Sequence, residues 1–165
     1  HTHFHDDAIF NLISFSTAAN FGNTTFNKEA SFADIKFSRL AKHMPDPRTL
    51  HFTSAKFKGP TYFRHSVLIW VFFNEAKFYS ETQFLEMEFK EKVDFSYSEF
   101  HKSISFTAVE DRKKMIFCKV KFALPESNKE IEKIKNNFKL FEPEFDVKFS
   151  SEDSSSAENS AGKPS

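Results

Sequence analysis

Phenylalanine spacing constrains this chain more than any other feature. Phe stands at 4, 10, 15, 21, 26, 32 and 37, resumes after a gap at 52, 57 and 63, and the series then runs through Leu68 to Phe73 and Phe78. It continues at Phe84, Phe89, Phe95, Phe100 and Phe106 and ends at Phe117 and Phe122, with Asp111 in the slot between. From Phe4 to Phe37 and again from Phe73 onward the steps alternate between five and six residues, a beat of eleven. Neither the helical period of 3.6 nor the strand period of 2, sustained over this length, produces that alternation, so a corner must intervene in every step. Two residues before most slots lies a smaller residue: Ala8, Ala19, Thr24, Ala30, Ala55, Thr61, Ala76, Thr82, Val93, Ser98 or Val120. Residues two apart in an extended chain point the same way, so each step supplies one bulky and one small inward side chain. The residues between and after them are mostly Lys, Glu, Asn, Ser, Asp and Tyr, which suit solvent.

Segments such as Phe21-GNTT-Phe26-NKEAS-Phe32-ADIK-Phe37 and Phe73-NEAK-Phe78-YSETQ-Phe84 resemble the pentapeptide-repeat family in its phenylalanine-centred, eleven-residue doublet form. The resemblance runs over about residues 2 to 122. It implies an all-β fold, a right-handed quadrilateral β-helix with four sides per coil, so that two doublets make one turn. Phe52, Phe73, Phe95 and Phe117 then share one side and Phe57, Phe78, Phe100 and Phe122 the next. The expected core is Phe21, Phe26, Phe32, Phe37, Phe52, Phe57, Phe63, Leu68, Phe73, Phe78, Phe84, Phe89, Phe95, Phe100, Phe106, Phe117 and Phe122. Coils hydrogen-bonded as parallel strands lie about 4.8 Å apart, close enough for rings in a column to stack. Counting Leu68 and Asp111, the 21 slots make about five coils and a rod about 24 Å long. A Phe-rich β-sandwich, the rival architecture, needs turn signals every 8 to 12 residues, and with three Gly in the chain these are missing.

The expected organisation is a solenoid over 1–122, a helical cap over 123–149 and a polar, disordered tail over 150–165. Between Phe37 and Phe52 the beat fails; Pro45 and Pro47 break any strand there, and an irregular loop over 38–51 reads as a nine-residue insertion at one corner. Ser127 and Glu130 fit a capping box, with Ile131, Ile134, Phe138 and Phe141 forming one apolar stripe and Pro143 stopping the helix. Such a helix would fold over the last coil or dimerise. No cap precedes Phe4, so the expectation is that the chain starts inside the array and that an uncapped end offers a homodimer contact.

Lys plus Arg and Asp plus Glu each number 23, leaving no net field to steer nucleic acid or anionic lipid. The longest apolar run, Val67 to Phe73, is far below the roughly 20 residues of a membrane span. No signal-peptide pattern opens the chain, and a cytoplasmic location is the expectation. Cys118, the single cysteine, excludes an internal disulfide and reads as a half-buried thiol. His1, His3 and His5 alternate beside Asp6 and Asp7, but metal ligands at a chain end lack the surrounding hydrogen bonds that fix geometry. Glycine-rich phosphate loops, nucleophile elbows and HExxH are missing, and Glu86, Glu88 and Glu91 read as solvated wall residues near Lys90 and Lys92. Some relatives in the resembled family mimic DNA toward type II topoisomerases with a strongly acidic rod. Residues 1–122 carry 17 basic and 14 acidic side chains, the wrong sign for that role. An enzyme of unknown class is the remaining alternative. The reading reached is a non-catalytic scaffold or protein-protein interaction module, part of a larger chain, with no cofactor and an unidentified protein partner. Its candidate contact corner joins Trp70 and Phe72, which alternate outward around Val71, with His51 and Glu91. Leu40 or Met44 of the inserted loop could fold onto that aromatic pair.

Overall fold

The computed structural model describes residues 1–37, 48–110, 112–123, 129–137 and 140–145. Short strands, most of them two residues long, stack rung upon rung into a four-sided parallel β-solenoid of about five turns. The first side holds Ala19–Asn20, Thr49–His51, Trp70–Phe72 and Val93–Asp94. His3–Phe4, Thr25–Phe26, Lys56–Phe57, Lys77–Phe78 and Glu99–Phe100 make the second. Met115–Phe122 spans the corner and joins these two sides into one sheet. The third side has Ala8–Ile9, Ala30–Ala33, Thr61–Arg64, Thr82–Leu85 and Ile104–Thr107, and the fourth Ser14–Phe15, Lys36–Phe37, Val67–Leu68 and Glu88–Phe89.

The expected columns form. On the first side Phe52, Phe73, Phe95 and Phe117 follow one another at 5.0, 4.8 and 4.8 Å between ring centroids, with planes within 12°. On the second, Phe57, Phe78 and Phe100 are 4.8 and 4.7 Å apart. Rings of the third side meet those of the first edge-on, as Phe63 with Phe73 at 80° and Phe84 with Phe95 at 90°. Stacking along the axis and edge contacts across it are the two arrangements that aromatic quadrupoles favour. All eleven of the smaller inward residues expected from the sequence are buried. Phe21, Phe37 and Phe106, counted in the core beforehand, are only half-buried. Phe21 lies on the first rung of its side and Phe37 where the fourth-side ladder breaks, and Phe106 lies on the last described rung of the third side.

Corner chemistry explains the alternation of five and six. Apart from the shortened step from Leu68 to Phe73, every five-residue step turns through a residue in the left-handed region: Leu12, Asn23, Asp34, Ser54, His65, Glu75, Glu86, Tyr97, Ala108 and Lys119, with φ between 49° and 63°. At first-to-second corners the amide of the next residue bonds back to the Phe carbonyl, as Ala55 to Phe52 and Ala76 to Phe73 at 3.0 Å, the pattern of a type II turn. These ten positions carry no glycine, so each holds about 1 kcal/mol or more of backbone strain that the packed rungs override. Among the described residues, six-residue steps turn without a left-handed residue.

The interruption returns in register. Ala19 pairs with Leu50 and Phe26 with Phe57, 31 residues apart, against 22 for Ser14 with Lys36, so nine residues are added. One coil later a residue is lost: Leu68 pairs with Phe89 at 21, then Val71 with Val93 at 22. On the fourth side the ladder breaks between Lys36–Phe37 and Val67–Leu68. Buried Ser66 bridges the break, its hydroxyl accepting from the Ile35 amide at 2.9 Å and donating to the Arg64 carbonyl at 2.8 Å.

The C-terminal part departs from expectation. A helix, Lys129–Asn137, does follow, with Ile131 and Ile134 buried in the core. Phe141 is not on it. Residues Leu140–Phe145 form a strand parallel to Met115–Phe122, adding a rung beyond residue 122, and Pro143 sits within it. A proline is tolerated because the strand is at the sheet edge and the register shifts between Cys118 and Val120, where Pro143 pairs. Ser127, Phe138, Asp111 and the tail 150–165 lie outside the described residues, as do Leu40 and Met44.

Candidate interaction corner

The strand Trp70–Phe72 lies between Thr49–His51 and Val93–Asp94, and alternation alone decides which side chains leave the core. Val71 is buried, while Trp70 and Phe72 are half-buried on the outer surface. Register sets two outward rows. One runs His51, Phe72, Asp94; in the other Thr49 is beside Trp70. The Phe72 ring stacks on His51 at 4.9 Å and 12°, and His51 Nε2 is 3.0 Å from Thr49 Oγ1.

Asp94 closes the other flank of Phe72. Its carboxylate receives Lys92 Nζ at 2.7 Å, the Ser96 amide at 3.0 Å and the Ser96 hydroxyl at 2.5 Å. Burial alone would raise its pKa; the hydrogen bonds from Lys92 and Ser96 and the Lys92 charge together outweigh it, and the carboxyl is held below its ordinary value. Asp94 is 8% exposed and was not singled out by sequence, since nothing in one Asp on a polar wall signals burial. Glu91 is exposed, its amide donating to Ile69 O at 3.2 Å, so it sits at the corner one rung beyond the aromatic pair and not beside His51.

The other residues weighed for chemistry are dispersed. Glu86 lies at a third-to-fourth corner, 3.7 Å from His65 Nε2, and Glu88 pairs with Lys90 on the fourth side. His3 and His5 stack at 6.2 Å; Asp6 accepts from Lys28 at 2.7 Å and Asp7 from the Glu29 amide at 3.2 Å. Among the described residues no group of three His, Cys, Asp or Glu side chains converges as a metal site. Cys118 is half-buried, as its sequence suggested. No helix among the described residues is long and apolar enough to cross a membrane. Compared with family models, curated proteins and solved structures, the chain finds no match in any of the three.

Proposed function

We propose that the chain is a non-catalytic scaffold or protein-interaction module, a solenoid of the pentapeptide-repeat kind within a larger chain, whose partner surface centres on Trp70 and Phe72. One observation carries this reading. A Trp and a Phe stand half-exposed on a wall whose register neighbours are Thr49, His51 and Asp94. Aromatic side chains clamped on a parallel ladder lose little freedom on association, and Trp is enriched at the energetic centre of interfaces. The stack on His51 and the ion-paired Asp94 provide a polar rim around the pair.

The test is a photo-crosslinking amino acid introduced at position 70 and, as a control, at Gln83 on the third side, in cells that naturally carry the protein. Discrete adducts at 70, few at 83, and their loss with Phe72→Ala support the corner. Equal adducts at both positions, or none at 70, reject it.

A further inference from the structure

We infer that the second side binds an extended acidic peptide segment along the solenoid axis, through Lys56, Lys58 and Lys77. In the sequence the basic residues are interleaved with acids, and the fold sorts them. Lys56 and Lys77 are register partners on adjacent rungs, about 4.8 Å apart. Lys58 follows Lys56 by two residues and projects from the same surface. Like charges directly opposed in a sheet repel and are destabilising, so an anionic partner laid over them is favoured. Lys56 and Lys58 are exposed and have no acidic partner among the described residues. Lys77 is 3.2 Å from Glu99, but that carboxylate is shared with His101 at 3.5 Å and Lys121 at 4.0 Å. A field of uncompensated positive charge therefore remains over the rungs of Lys56 and Lys77.

Shape and borders select the occupant. The strip is one wall wide, with Glu75 at one bordering corner, hydrogen-bonded by Ser54 at 2.8 Å, and Glu81 exposed at the other. A duplex or a bilayer would bring negative charge over those acids as well; a single extended chain would not. Beyond Lys58 the same outward row continues with Tyr79 and His101, whose rings lie 4.4 Å apart and give a shelf for the peptide's apolar atoms. This surface is on a different side from Trp70 and Phe72, and the inference does not depend on them.

The test uses the full chain and a fluorescein-labelled decapeptide with four consecutive glutamates, followed by anisotropy at pH 8 and low ionic strength. Saturable binding is expected, weakened at least about tenfold by the double variant Lys56→Glu, Lys58→Glu, the loss expected when two charge-assisted contacts become repulsive. Lys36→Glu, on the fourth side, should leave affinity unchanged, and far-UV circular dichroism should confirm that all variants stay folded. Absence of binding overturns the inference, as does an equal loss with Lys36→Glu. Tighter binding of a ten-nucleotide single strand, sensitive to the same double variant, would also overturn it by assigning the strip to nucleic acid.

Discussion

Replacing Phe95 by Ala tests the architecture at its centre. Phe95 is fully buried, stacked at 4.8 Å on Phe73 and at 4.8 Å on Phe117, and its edges meet Phe84 at 5.6 Å and Phe106 at 6.2 Å. Lost transfer energy and the remaining cavity together cost about 3 to 5 kcal/mol for a buried Phe. Both stacks disappear with the ring, each worth about 0.5 to 1.5 kcal/mol beyond burial, which places the expected loss toward the upper end. The column cannot collapse to close the gap, because the rungs on either side are fixed by main-chain hydrogen bonds such as Phe95 N to Ile116 O at 2.9 Å and Phe73 N to Asp94 O at 2.7 Å. Phe106→Ala is the internal control. Its ring is half-buried on the last rung of the third side, and a loss of about 2 kcal/mol is expected. Guanidinium unfolding followed by circular dichroism gives both midpoints, and thermal melts should fall by roughly 2 to 4 °C per kcal/mol for a chain of this size. If Phe95→Ala leaves the midpoint unchanged, or costs no more than Phe106→Ala, stacked burial is not what holds the rod together.

Two further outcomes follow from single contacts. Asp94 has its pKa depressed in the folded state, so its contribution is present above the ordinary carboxylate value of 3.8 and is lost as pH falls through the lower, folded value. Acid unfolding should therefore show a component in that window that Asp94→Asn removes; identical acid profiles would refute it. At Gly59 an added Cβ would lie 2.3 Å from the backbone carbon and oxygen of Lys28 and 2.9 Å from the Glu29 amide. Gly59→Ala should thus force two rungs apart at the second-to-third corner and cost about 1 to 3 kcal/mol by urea unfolding, and a neutral result would mean that the rungs are not in contact there.

Sides and columns were legible because a bulky residue recurring on a fixed beat leaves few ways to be buried, and the assignment of Phe73 above Phe52 needed only counting. The corners were not legible. Left-handed positions are normally announced by Gly or Asn, and here Leu12, His65, Glu75, Tyr97 and Lys119 occupy them, so the strain is visible only in the backbone. Ser66 escaped notice for a related reason: its importance comes from a ladder broken 31 residues away, opposite Ile35. The outward direction of Trp70 and Phe72 could be read from alternation around Val71, and His51 was joined to them by counting, whereas the partner Asp94 required the register. The lysine strip was implicit in the same counting, since Lys56 and Lys77 precede Phe57 and Phe78, but the lack of acidic partners for Lys56 and Lys58 is visible only in the structure. Phe141 was assigned to the helix because its spacing from Ile134 and Phe138 fits a helical stripe; pairing with Phe117 on the adjacent rung prevailed over that periodicity.

The placement of the two length changes has a physical reason. A five-residue corner of the regular kind holds a left-handed residue, and at the first-to-second corners a turn hydrogen bond as well, and inserting there would disrupt them. A six-residue corner has no left-handed residue to preserve, so the chain can leave and return at comparatively low cost. The nine-residue addition before Phe52 and the one-residue loss between Leu68 and Val71 both fall on the fourth-to-first corner, which belongs to the six-residue class. Shortening that corner leaves Ile69 alone between Leu68 and the three-residue strand Trp70–Phe72, which pairs with Thr49–His51 at every residue. The first-side strands Ala19–Asn20 and Val93–Asp94 have two residues each, so the short corner is what brings Trp70 into the ladder beside Thr49, whereas Phe72 lies beside His51 because Phe73 lies over Phe52. Restoring the lost residue, by inserting one Gly after Ile69, should therefore relax the pairing of Trp70 with Thr49 while leaving the Phe columns, and with them Phe72 beside His51, intact. Retained cooperative unfolding together with loss of adducts from position 70 is the expected pair of results. Unchanged crosslinking would show that the short corner has no part in presenting the aromatic pair.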